Sequence, residues 1–183
     1  MIAKIYSIGY SLLFLFSAAA AQPKIVESAK GESWTTYRII HPLHKIEATS
    51  KEALYKLELD PANKVVKSVL AQVDVTTFDS GNSNRDSHAM EVIDAISYPD
   101  VIFSSSTVTQ YGDSLSVSGK LTFHGVTRDI VVGASVKWFP GKLEVLGGFN
   151  LSLTAFNIER PSLLMIPVQD TLRFSFGTVF SWK

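Results

Sequence analysis

Four histidines, three consecutive serines and an arginine–aspartate pair are the residues of this 183-residue chain whose types and spacing suggest chemistry. His41 and His44 stand in an H-x2-H spacing that zinc could use, but two ligands do not make a zinc site. Pro42 between them marks a strand-end turn, so surface or structural histidines are the favoured reading. His88 and Glu91 are three apart and would share a helix face. Carboxylate-bridged metal bundles use Glu-x-x-His in pairs, and here there is one, in reverse order. His124 precedes Gly125 in a tight turn. As a catalytic base it would need a nucleophile or carboxylate held beside it. Ser104, Ser105 and Ser106 offer hydroxyls, but successive strand residues alternate faces, so at most two share one. A turn histidine bonded to backbone is the plainer reading. No G-x-S-x-G elbow, phosphate loop or dinucleotide fingerprint occurs. We therefore assign no catalytic residue, metal or cofactor, and expect no enzyme.

Period-two alternation dominates the chain, as half-buried strands require. Leu115, Val117, Gly119, Leu121 and Phe123 point one way, while Ser116, Ser118, Lys120 and Thr122 point the other. Ile130, Val132, Ala134, Val136 and Trp138 repeat the pattern. Val65, Val69, Ala71, Val73 and Val75 form one face of an earlier strand, and Leu172, Phe174, Phe176, Phe180 and Trp182 one face of the last. Further strands are expected at Leu143 to Leu153, Trp34 to His41, Lys45 to Thr49 and Leu54 to Leu59. Gly112, His124-Gly125 and Pro140-Gly141 supply short turns, hence antiparallel neighbours. The count is about eight strands in a meander. Asp86 to Ile96 instead has helical spacing, with Asn84 as candidate N-cap and Pro99 as the stop. Residues 162–166 look helical but too short to assign.

Residues 1–21 have the order of a secretory signal: Lys4, an apolar run from Ile5 to Phe16, then small residues to Ala21. Cleavage is expected after Ala21, leaving residues 22–183 as one domain in the periplasm or outside the cell. The run is short of the roughly 18–20 residues that span a bilayer, so no stable membrane insertion is expected. Charges balance, 17 basic against 17 acidic, which leaves no electrostatic footprint for nucleic acid. With no cysteine, the domain must be stabilised by its core alone.

Consecutive antiparallel strands hide their edges completely only by closing. The expected fold is therefore all-β: a closed or nearly closed antiparallel, lipocalin-like barrel with one short helix as plug or lid. An eight-stranded barrel is just wide enough to fill with side chains or to hold one small ligand. Small inward residues at Ala71, Gly119, Ala134 and Gly147 would leave volume, and walls of Val, Leu and Phe would make it apolar. Such a space suits an alkyl or isoprenoid chain, stabilised by ~0.8 kcal/mol per buried CH2. On pattern alone a tightly packed, empty barrel stays equally open.

Three motifs in order break that tie. Arg85-Asp86-Ser87-His88, then Pro99 through Ser106, then Ser118 through Thr127 with Leu121-Thr122-Phe123-His124-Gly125-Val126-Thr127, resemble the YceI-like family. Ile158-Glu159-Arg160-Pro161 and Asp170 resemble the family's C-terminal end. The segment His41-Pro42-Leu43-His44 departs from the usual family start. The resemblance implies a lipocalin-like barrel, a periplasmic or secreted address and a polyisoprenoid-type lipid inside.

The expected ligand-binding wall is Val73, Val75, Phe103, Leu121, Phe123, Val132, Phe149, Phe174 and Phe176. Arg85, Asp86 and His88 are candidate polar groups at the barrel mouth, either a headgroup gate or a cap and ion pair that fix the helix. The expected partner is an apolar lipid or isoprenoid, with homodimerisation left open. Two rival readings remain: a solid-barrel interaction module of an envelope stress or redox system, and an enzyme of unnamed reaction at the mouth.

Overall fold

The computed structural model describes residues 22–29 and 31–183. The segment read as a secretory signal lies outside them.

Ten strands form one antiparallel sheet. In chain order they are β1 (Lys24–Glu27), β2 (Trp34–His41), β3 (His44–Ser50), β4 (Leu54–Asp60), β5 (Val65–Asp74), β6 (Asp100–Tyr111), β7 (Ser114–Phe123), β8 (Val126–Phe139), β9 (Lys142–Ser152) and, last, β12 (Thr171–Ser181), after the small hairpin β10 (Ser162–Leu163) and β11 (Ile166–Pro167). The order across the sheet is β1-β4-β5-β6-β7-β8-β9-β12-β2-β3. β12 runs longer than β2. Its upper half, Arg173 to Gly177, pairs with β2. Below that, Ser28, just past the end of β1, takes over through a bridge to Phe180. The lower part is thus a tube of eight strands. At the upper end the β2–β3 hairpin curls over and meets the chain after β5 through a Thr49–Asp79 bridge. The barrel is closed by short contacts rather than by a full ladder.

Alternation places the core as expected along β7, where Leu115, Val117, Leu121 and Phe123 are all buried. Along β5 it fails at the start. Leu57 faces Val69, and Leu59 faces Val66, so Lys67 is an extra residue. This bulge shifts every residue before it by one, since the side-chain period is two. Val66 is therefore buried and Val65 turns outward, opposite to the expected face. A second bulge lies in β6 between Ser104 and Thr107. Ser105 is buried there, and its hydroxyl bonds the carbonyls of Thr107 and Ser118. Beyond the Val69–Ser105 pair, β5 and β6 share no further rungs. The Gln110 side chain spans the split instead, donating to Lys64 O at 2.9 Å and accepting from Val66 N at 3.5 Å.

The lower end is solid. Leu59, Leu143 and Phe180 are fully buried, and Trp138 meets Trp182 edge-on with ring centres 6.2 Å apart. The upper end carries the helix α1 (Ser83–Val92). It begins earlier than its spacing suggested, because Asn82 and not Asn84 is the N-cap, accepting from Arg85 N. It stops before Pro99, because Asp94 turns left-handed at φ 45° just past its end. Ile96 therefore leaves the helical face and is exposed. Residues 162–166 are a β-hairpin rather than a helical turn.

Candidate functional site

Two apolar spaces lie inside the barrel. The larger, about 430 Å³, sits at the upper end beneath α1. Tyr37, Ile39 and Ile46 of the β2–β3 hairpin form one wall; Ala89, Met90 and Val92 of α1 form the roof; Val75, Phe123, Ile158, Val168 and Leu172 form the floor. The smaller, about 100 Å³, lies deeper and is lined by Tyr55, Val73, Phe103, Leu121, Val132, Phe149 and Phe176 among others. Val101 and Phe174 belong to both linings, so they form the partition between the spaces. Phe174 stacks on Phe149 at 5.0 Å and meets the edge of Tyr37 at 6.4 Å.

The expected wall residues thus fall in two groups. Val73, Phe103, Leu121, Val132, Phe149 and Phe176 line the deep space; Val75 and Phe123 line the upper chamber; Phe174 lines both. Val75 reaches it from a 3-10 turn (Val75–Thr77) rather than from a strand. The aromatic residues the sequence reading missed, Tyr37 and Phe78, pack at 5.2 Å in the same chamber. Tyr37 alternates with Ile39 along β2, which was the available signal.

Of the small inward residues, Ala71 and Ala134 line the deep space, whereas the two glycines act differently from the expectation that they leave volume. A Cβ on Gly119 would lie 2.4 Å from Ser104 O and 2.7 Å from the Phe103 ring. A Cβ on Gly147 would lie 2.4 Å from the Phe176 ring. The phenylalanines fold over these glycines and occupy the room they provide. Deep in the barrel the bore is therefore narrow. The usable space is the upper chamber, whose volume falls within the roughly 300–1,000 Å³ of small-molecule sites.

Polar groups gather at the rim. Asn84, Arg85 and His88 of α1 line the chamber opposite His41, His44 and Ser162. Arg85 donates from Nε to Ser80 Oγ at 2.8 Å and from a terminal nitrogen to Ser80 O at 2.6 Å. Asp86 does not line the chamber; its carboxylate accepts from Ser80 N at 3.2 Å. Both residues therefore tie α1 to the preceding loop, and Arg85 also shows one face to the cavity. Burial raises the Tyr37 pKa, the Asp86 charge raises it further, and the Arg85 charge opposes. His88 is exposed and lies 3.6 Å from Glu91.

His41 and His124 are held by backbone, and the His44 ring lies 5.1 Å from that of His41. His41 Nδ1 accepts from Leu43 N at 3.1 Å, which leaves Nε2 as the donor to Ile166 O at 2.9 Å. His124 Nδ1 bonds Phe156 O at 3.0 Å, with its ring against Tyr98. Among the described residues no three metal-ligating side chains stand together. Arg160 donates to Val168 O and Asp170 accepts from Thr154 N, so these C-terminal residues shape the floor of the chamber. An open outer groove of about 950 Å³ is lined by Lys56, Glu58, Lys120 and Asp129 together with Ile25, Leu70 and Val131.

A closed antiparallel barrel, its lower end packed and its upper end hollow beneath a single helix, places the molecule in the lipocalin-like class. Within that class the chain belongs to the YceI-like family, whose model, described as a YceI-like domain, matches residues 27–180. A UPF0312 protein of Vibrio cholerae is 41% identical over 109 residues, covering 55% of this chain and 58% of that protein. The match thus spans little more than half of that relative's length. Protein YceI of Escherichia coli O157:H7 is 26% identical over 129 residues, covering 69% of this chain and 68% of that protein. Among solved structures, BcnA of Burkholderia cenocepacia superposes with a TM-score of 0.75 at 23% identity, covering 83% of this chain and 98% of that one. A domain of Saccharophagus degradans, described as polyisoprenoid-binding, superposes with a TM-score of 0.67 at 11% identity over 88% of this chain and all of that one. These two likenesses concern the fold.

Proposed function

We propose that this protein is an exported lipid-binding protein, not an enzyme, that holds an apolar, isoprenoid-like chain of polyprenyl or quinone type. The chain lies in the upper chamber with its tail against Phe174 and its polar end near Arg85 and His88. The single observation that carries this reading is the chamber of about 430 Å³ under α1, lined mostly by apolar side chains, with Asn84, Arg85 and His88 at its rim. A wall of that kind excludes water and favours an alkyl guest. The polyisoprenoid-binding description of the Saccharophagus degradans domain supports the same ligand class. The sequence of residues 1–21 supports export, with a periplasmic or secreted address after cleavage at Ala21.

The test is organic extraction of the purified protein followed by mass spectrometry, with uptake of dansyl-farnesol measured on the delipidated protein. A reproducible isoprenoid in the extract, or saturable uptake of the probe, is the expected result. A protein that yields no lipid and takes up no probe overturns the reading.

A further inference from the structure

We infer that the tip of the β10–β11 hairpin, with Leu43 beside it, inserts into the surface of a lipid bilayer and sets the chamber mouth against it. The inference rests on the lipid-binding reading and adds where the lipid is exchanged.

The tip is a two-residue turn, Leu164 and Met165, closed by the Leu163–Ile166 pair. Both turn residues have positive φ, 52° and 64°. A turn of this kind favours Asn-Gly, and bulky side chains there are strained. The side chains do not repay that strain by joining the core. Leu164 is 76% exposed and Met165 95%. Neither the turn nor the packing explains two large apolar residues here, and backbone strain of this kind points to function. No charged residue occurs from Pro161 to Gln169.

The tip is also held in place. His41 bonds Ile166 O with one ring nitrogen and Leu43 N with the other, so one buried ring fixes both hairpin turns side by side. Gln169 N donates to Ile40 O at 2.8 Å. Leu43, on the neighbouring turn, is 61% exposed. Leu163, next to the tip, lines the chamber. The exposed apolar residues therefore stand at the rim of the apolar space.

A bilayer is the occupant that fits. The tip is convex and offers a few side chains, whereas a stable protein interface buries about 800 Å² on each partner. Shallow insertion of apolar side chains is how peripheral proteins hold to membranes. An isoprenoid chain loses stability with every methylene it exposes to water, so a mouth pressed on the bilayer lets it pass without that exposure.

The experiment sediments the protein with sucrose-loaded vesicles of phosphatidylethanolamine and phosphatidylglycerol, and separately of phosphatidylcholine. The wild type should sediment with both, and raising the salt should not release it. The double variant Leu164→Asn, Met165→Gly installs the favoured turn, so its Tm should equal or exceed that of the wild type while vesicle partition falls at least about ten-fold. Met165→Asp alone should show the same loss. Wild-type protein that stays in the supernatant, or variants that partition unchanged, overturns the inference. Uptake of dansyl-farnesol without vesicles separates the two readings. Uptake by a wild type that does not sediment sinks the docking and leaves lipid binding standing. No uptake together with no lipid in the extract sinks both.

Discussion

Tyr55 is 8% exposed, shares a hydrogen bond with Thr35 and stacks on Phe176 at 5.7 Å. Burial pushes its pKa up to about 12, against the pull of the Thr35 bond. Below pH 10 both folded and unfolded states keep this proton. Between 10 and 12 the unfolded chain releases it and the folded chain does not, so stability falls as pH rises through that window. Two pH units correspond to a loss on the order of 2–3 kcal/mol. Urea unfolding at pH 9 and pH 12 should show that loss in the wild type, and Tyr55→Phe should lose less. The inward position of Tyr55 was readable from the alternation of β4. Its partner was not, because Thr35 lies on a strand that does not neighbour β4. The glycines show the same limit. Alternation put Gly119 and Gly147 inside, but only the fold shows which rings lie on them, and those rings reverse the expected consequence. The bulge at Lys67 flips Val65 for a similar reason: an extra residue is invisible until its partner strand is known.

At the scale of the element, α1 is a lid with a light attachment. None of its residues is fully buried. Its start is fixed by the Asn82 cap and by the hold of Arg85 and Asp86 on Ser80. Asp86 also places a carboxylate in the first turn, favourable to the helix dipole. Asp86→Ala removes both effects, about 1 kcal/mol together. Release of bound dansyl-farnesol, followed by stopped-flow fluorescence, should accelerate roughly five-fold, while Tm falls by only about 2–4 °C. An unchanged rate would mean that the guest leaves by another path. The helical spacing within Asp86 to Ile96 made this element legible in the sequence, and its cap positions followed only approximately. The β10–β11 hairpin was not legible, since Leu-Leu-Met-Ile carries no turn signal and its left-handed turn runs against residue preference.

The whole molecule closes economically. β1 contributes four residues, yet it covers the edge of β4 and buries Val26, and the residue after it, Ser28, makes the seam with β12. A chain beginning at Gly31 should lose more than about 2 kcal/mol from Val26 alone and expose β4 as a free edge. Thermal melting and size-exclusion chromatography should show a lower Tm and higher oligomers. The closed fold followed from the number of alternating strands, whereas the short seam that achieves closure carries no pattern of its own. On the opposite flank, the two staves β5 and β6 are laced at their lower end by the amide of Gln110 in place of a ladder. Prying the wall apart there breaks the bonds of one side chain, while parting β7 from β8 would unzip every rung along both strands. A guest too stout for the bore would therefore make the barrel bulge sideways at that lacing before it stretched the rim.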